Sequence, residues 1–147
     1  MINTHFNIIN EIETWGYPAI WDNLKHKYEF NHDYGSDTQQ SFQIYDSDGH
    51  EKLDFCFAIC LSDNGSIYIE LVQLTVTPRD RRQGIGKFYL IRLKELCIKN
   101  SINEIRLTLC TTAEDISYEN AYTDKKELEK YYREILEDNS IKLITRH

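Results

Sequence analysis

Apolar residues recur along this chain in two rhythms, one of about 3.6 residues and one of two, and the switches between them outline the elements. Helical spacing comes first. Phe6, Ile9 and Ile12, then Ile20, Trp21, Leu24 and Tyr28, predict helices over residues 6–28 with a break at Gly16-Tyr17-Pro18. Residues 31–40 are polar and predict a loop. Three strand-like runs follow. Residues 41–45 are closed by Asp46-Ser47-Asp48-Gly49, residues 53–61 by Ser62-Asp63-Asn64-Gly65, and residues 66–76 form the third. Asn-Gly between two apolar runs is a strong hairpin signal, so an antiparallel meander is expected.

Helical spacing then returns. Phe88, Tyr89, Leu90, Ile91, Leu93, Leu96, Cys97 and Ile98 predict a helix with a broad apolar face. Residues 105–110 predict a central strand buried on both faces. After a polar stretch at 111–123, Asp124 opens a further helix with Glu127 as its capping-box partner. Leu128, Tyr131, Tyr132, Ile135 and Leu136 make its apolar stripe, and residues 140–144 predict a last short strand. The order helix, three strands, helix, strand, helix, strand is that of an α/β or α+β single domain.

Composition narrows the function. The chain has 147 residues, enough for one domain with its own core. Its 17 Lys+Arg against 24 Asp+Glu give a net charge of -7, which argues against general nucleic-acid binding. No apolar run is long enough to span a membrane. The first residues carry neither a basic patch nor an apolar core segment, so a cytoplasmic protein is expected. Cys56, Cys60, Cys97 and Cys110 form no C-x-x-C pair and read as buried free thiols. His26, His32 and Asp33 fit no standard metal spacing, so no metal is expected.

The most informative segment is Val76-Thr77-Pro78-Arg79-Asp80-Arg81-Arg82-Gln83-Gly84-Ile85-Gly86-Lys87, which joins a strand to a helix. Four cations crowd a helix start, where the helix dipole disfavours them and a bound anion would offset the cost. Gly84 and Gly86 leave room for a close ligand. Neither G-x-x-x-x-G-K-[ST] nor G-x-G-x-x-G is present. The longer pattern, with Arg81-x-x-Gly84-x-Gly86 preceded by Val76 and Pro78, resembles the signature of the GNAT superfamily of N-acetyltransferases. The order of elements over residues 41–132 resembles that family too.

The resemblance implies a mixed, mostly antiparallel central sheet flanked by helices, with residues 1–40 as a helical acceptor-side region and 41–132 as an acetyl-CoA-binding core. It implies that the backbone of Arg81, Arg82, Gln83, Gly84, Ile85, Gly86 and Lys87 holds the pyrophosphate. The backbone of Leu74, Thr75 and Val76 would pair with the pantetheine arm like an added strand. It also implies a base. A protonated amine cannot attack a thioester until it loses a proton, and Glu70, six residues before Val76, stands where the histone-acetylating branch carries a glutamate. By simple alternation Glu70 would share a face with Val72, Leu74 and Val76. Leu128-Glu129-Lys130-Tyr131-Tyr132 resembles the family's L-x-x-[FL]-Y pattern, which makes Tyr132 the acid for the leaving thiolate. Lys125 stands where the family often has Asn, and Ile135-Leu136-Glu137 continue the helix where it often has Gly-Phe.

The expected reaction is direct transfer of an acetyl group from acetyl-CoA to a primary amine, on a small molecule or on a protein lysine or N-terminus, and a homodimer is a possible assembly. The acidic stretch at 113–119 and the net charge suit a cationic acceptor. The alternatives are a non-catalytic acyl-CoA-binding regulatory module and a protein-targeting acetyltransferase effector of phage or plasmid type.

Overall fold

A computed structural model describes residues 5–21, 25–31, 39–76, 83–108 and 125–146. Six strands form one sheet in sequence order: β1 (His26–Phe30), β2 (Gln39–Asp46), β3 (Glu51–Leu61), β4 (Ile67–Val76), β5 (Glu104–Thr108) and β6 (Lys142–Arg146). β1 to β4 pair antiparallel as a meander, and β4, β5 and β6 run parallel. Three helices accompany the sheet: α1 (His5–Glu13), α2 (Ile85–Lys99) between β4 and β5, and α3 (Lys125–Leu136) between β5 and β6. Crossovers between parallel strands share one hand, so α2 and α3 fall on the same face.

That face is the core. Phe42, Phe55 and Leu53 point into it from β2 and β3, and Tyr89, Leu90 and Leu93 meet them from α2, all essentially without exposure. Trp15, just after α1, sets its ring edge-on against Phe42 and Phe55 at 6.1 and 6.3 Å. Three polar ties hold the layers in register. The Tyr28 and Tyr89 hydroxyls both donate to the Gly16 carbonyl, at 2.6 and 3.1 Å. Lys99 of α2 pairs with Glu11 of α1 at 3.0 Å. Arg133 of α3 donates to the Leu143 carbonyl and to Thr145 Oγ1, each at 3.2 Å.

Two expectations change. Residues 26–30, read as the end of a helical stretch, are edge strand β1. Tyr28 and Phe30 alternate with Lys27 and Glu29, and both rings lie on Phe42, at 5.4 and 5.8 Å. Burial of two aromatics against the sheet outweighs the helical spacing that Tyr28 also satisfies. β5 is central, yet only Ile105 and Leu107 are buried. Glu104 and Arg106 point to the opposite, polar face of the sheet. The helical start of the chain is otherwise as expected, with α1 and a 3-10 turn at Ala19–Trp21.

Candidate functional site

β4 makes the site, because a bulge interrupts it halfway along. Its first half is held on both sides: Ile69, Glu70 and Leu71 pair with Ile105, Arg106 and Leu107 of β5, and with Ile59, Ala58 and Phe57 of β3. Beyond Leu71 the described ladder to β5 stops, while pairing to β3 continues to Val76. β5 itself runs on, since Thr108 still pairs with Arg146 of β6. Val72 and Thr108, the last described residues that could continue the ladder, are not paired with each other.

A bulge lies at this level of β4. Cys56 faces Gln73 and Phe57 faces Leu71, so Val72 is an extra residue without an opposite number. Val72 is 54% exposed, unusual for an apolar residue of an inner strand. The extra residue also shifts the alternation by one. Leu74 and Val76 share the core face with Ile69 and Leu71, opposite Phe55 and Leu53. Glu70 does not join them, contrary to the reading by simple parity. It lies on the open face with Gln73 and Thr75.

The N-terminus of α2 lies against β4 just beyond the bulge, with Gly86 beside Leu74 and Val76. Gly84 precedes the helix at φ 83°, a left-handed conformation that suits glycine, and makes no side-chain cap. Its carbonyl accepts the Phe88 N–H at 3.0 Å, which starts the helix. The N–H groups of Ile85, Gly86 and Lys87 thus belong to a first turn with no intrahelical acceptor. Gly86 is confined by neighbours: a Cβ there would stand 3.1 Å from the Tyr131 hydroxyl, 3.7 Å from Leu74 and 3.8 Å from Val76. Gln83 and Lys87 are exposed and Ile85 is buried. Arg81 and Arg82 lie outside the described residues, as do His32, Asp33 and the stretch 113–119.

Tyr131 and Tyr132 are both half-buried against the core, their rings 5.5 Å apart and at 72° to each other. The hydroxyl beside Gly86 belongs to Tyr131. Successive helical residues point about 100° apart, so the two phenols cannot share one direction.

On the open face, a polar row crosses the strands. Asp54 of β3 accepts from Gln43 of β2 at 3.0 Å and from Gln73 of β4 at 2.9 Å. Further along, Glu70 sits between Ala58 and Arg106. Arg106 stacks over the Tyr68 ring at 3.8 Å and donates through Nε to Glu104. The Tyr68 hydroxyl and the Cys60 thiol are hydrogen-bonded, and burial pushes the Cys60 thiol above its ordinary range. At the β2–β3 turn, Asp46, Asp48 and His50 bring one donor atom each within 4.8 Å of one another. There Asp46 Oδ1 is engaged by the N–H groups of Asp48 and His50, both at 2.9 Å.

Val72, Tyr131 and the Arg106 group escaped the reading of the sequence. The bulge did leave a trace. Apolar residues occupy odd positions 67, 69 and 71, then even positions 72, 74 and 76, and that change of phase is what an inserted residue produces.

No protein-family model and no curated protein matches the sequence. Solved structures do resemble the fold. An aminoglycoside acetyltransferase from an uncultured soil metagenomic sample, in complex with sisomicin, is similar with a TM-score of 0.54 at 11% identity, over 83% of this chain and 95% of that one. The same enzyme in complex with trehalose gives 0.52, again at 11% identity and with the same coverage. A second aminoglycoside acetyltransferase from such a sample gives 0.51 at 17% identity, over 74% of this chain and 65% of that one. Among the described residues, no helix is long and apolar enough to cross a membrane. The chain is thus a single-domain α+β protein with a six-stranded mixed sheet and accompanying helices, in the fold of these acetyltransferases.

Proposed function

We propose that this protein is an N-acetyltransferase that moves an acetyl group from acetyl-CoA to a primary amine on a cationic small molecule. The observation that carries the reading is the first turn of α2, where Gly84 makes no side-chain cap and Gly86 lies beside Leu74 and Val76 of β4, just beyond the Val72 bulge. Ligands of parallel α/β units sit outside the carboxyl ends of the strands. An extended pantetheine arm suits the edge of Leu74, Thr75 and Val76 by strand addition. A pyrophosphate suits the first-turn N–H groups from Gly84 to Lys87, where a Cβ at Gly84 would meet no described residue within 4 Å. Arg81 and Arg82 supply charge from the same segment.

In this reading Glu70, on the open face, takes the proton from the acceptor ammonium, directly or through a water. The freed amine attacks the thioester carbonyl, the carbon–sulfur bond breaks, and the thiolate leaves with a proton from the tyrosine pair of α3. Tyr132 is the position given by the family pattern, and Tyr131 is the hydroxyl beside Gly86. The Phe variants of each separate them, since only the donor's loss lowers kcat. The net charge of -7 favours a cationic acceptor, and the neighbours of like fold are aminoglycoside acetyltransferases. An aminoglycoside or a polyamine is the acceptor class, and the cytoplasm, where acetyl-CoA is made, is the compartment.

Thermal unfolding with acetyl-CoA tests the reading, with ATP and NAD as controls. Ligand at about 100 times its Kd adds roughly 2.7 kcal/mol. That raises Tm by several degrees for acetyl-CoA alone. Gly84→Glu, which puts a carboxylate where phosphate is to bind, should remove the shift. An unchanged Tm with acetyl-CoA overturns the cofactor assignment. Binding without release of CoA in the presence of sisomicin or spermidine leaves an acyl-CoA-binding module instead.

A further inference from the structure

Glu70 is the nearest neighbour of Arg106 across the β4–β5 ladder, on the same face of the sheet. A carboxylate and a guanidinium so placed ordinarily join, and a joined carboxylate is a poor base. Among the described residues Glu70 nevertheless takes part in no hydrogen bond or ion pair. Arg106 is held elsewhere. Its Nε donates to Glu104, two residues back on the same strand and the same face. Its guanidinium lies over the Tyr68 ring, and Tyr68 is likewise two residues before Glu70 on β4. Tyr68, Glu104 and Arg106 together line a cavity of about 390 Å³ at the amino ends of the two strands, and Glu70 is not part of its wall. The cation has been drawn towards that end of the sheet.

We infer that Glu104 is a positioning residue: with Tyr68 it holds Arg106 off Glu70 and leaves the Glu70 carboxylate open to a cationic acceptor. The inference rests on Glu70 being the base. Among the described residues, the charged and titratable groups facing Glu70 are Cys60 from β3, Tyr68 from β4, and Arg106 with Glu104 from β5. Of these only Arg106 carries positive charge. Its tether therefore decides whether Glu70 meets an arginine of its own chain or the ammonium of a substrate.

Carbodiimide labelling of Glu70 at fixed pH, read by peptide mass spectrometry, tests this without an acceptor. Glu104→Gln releases Arg106 to Glu70 and should slow labelling of Glu70 roughly threefold, the size an exposed ion pair allows. Adding Arg106→Gln to that variant should restore it. Tyr68→Leu removes the stacking partner and serves as a second route, with the same direction of effect. Equal labelling of Glu70 in all folded variants overturns the tether. Turnover then separates the two levels. Glu70→Gln with an undiminished rate removes the base itself. A slowed Glu70→Gln together with unaltered labelling in Glu104→Gln and Tyr68→Leu removes only the tether.

Discussion

The Tyr131 hydroxyl of α3 lies 3.1 Å from the point where a Cβ on Gly86 of α2 would stand. Two helices meet at that point over Leu74 and Val76 of β4. In an ordinary helix, Gly→Ala stabilises by roughly 0.5–1 kcal/mol. Here the new methyl must displace the hydroxyl by a few tenths of an ångström, so Gly86→Ala should give little or none of that gain. In a Tyr131→Phe background the oxygen is gone and the gain should return. A four-variant cycle of denaturant midpoints should show coupling of about 0.5–1 kcal/mol, as expected of residues in contact. Additive effects would mean that the hydroxyl moves freely.

Asp138 ties the turn after α3 to α2. The Lys94 ammonium and the Ser140 N–H, in that order, hold its carboxyl below the ordinary 3.8. A carboxylate with a lowered folded pKa contributes stability above its unfolded pKa and loses it as pH falls through the folded one. Asp138→Asn should therefore lower Tm at pH 7, and the gap to the parent should close as pH drops below the carboxylate range. Melting curves from pH 7 to pH 2 read this directly. A gap constant over that range would assign the effect to geometry rather than charge.

Cys97 sits in α2 with no exposure, and burial pushes its thiol up to about 12. A group with a raised folded pKa contributes its stability below the unfolded pKa and loses it as pH rises. The fold should thus weaken from about pH 9 upward, where an unfolded thiol ionises near 8.5–9. In native buffer at pH 8, Cys97 should react with a disulfide reagent about a thousandfold more slowly than in denaturant, from the thiolate fraction alone. Cys97→Ala should flatten the alkaline decline, and prompt labelling of Cys97 in the native chain would contradict its burial.

Much of this architecture was legible in the sequence because packing obeyed local pattern. Asn64-Gly65 closed the β3–β4 hairpin, and the 3.6-residue stripe from Phe88 to Ile98 set α2. β1 was not legible. Tyr28 satisfies both periods, and only Phe42 across the sheet, on which Tyr28 and Phe30 both lie, decides between them. Among candidate site residues, the glycines at 84 and 86 could be found by spacing, since a left-handed start and a crowded approach each demand a particular residue type. The role of Tyr131 could not. Which of two adjacent phenols faces Gly86 depends on how α3 is rotated against α2, and that rotation is set by core contacts of Ile135 and Leu136 that no local pattern records.

Val72 offers the sharpest separation of fold from function. Because it is the extra residue of a bulge, removing it leaves the alternation on both sides intact. Ile69 and Leu71 stay on the core face, Gln73 takes the next outward position, and Leu74 and Val76 remain inward opposite Phe55 and Leu53. No buried side chain is turned out, and an exposed valine is lost. Deleting Val72 should therefore cost little, less than the roughly 2–5 kcal/mol of a core truncation. The strand, however, loses the local bend that bulges impose. A straight β4 would set Leu74, Thr75 and Val76 at a different angle to the first turn of α2, where the ligand is to bind. The expected result is a folded chain with a near-parental Tm and no Tm shift from acetyl-CoA. A Tm shift that persists in the deletion variant would place the ligand elsewhere than along Leu74, Thr75 and Val76. Collapse of the fold would show that the bend itself, and not the alternation, is what the core requires of β4.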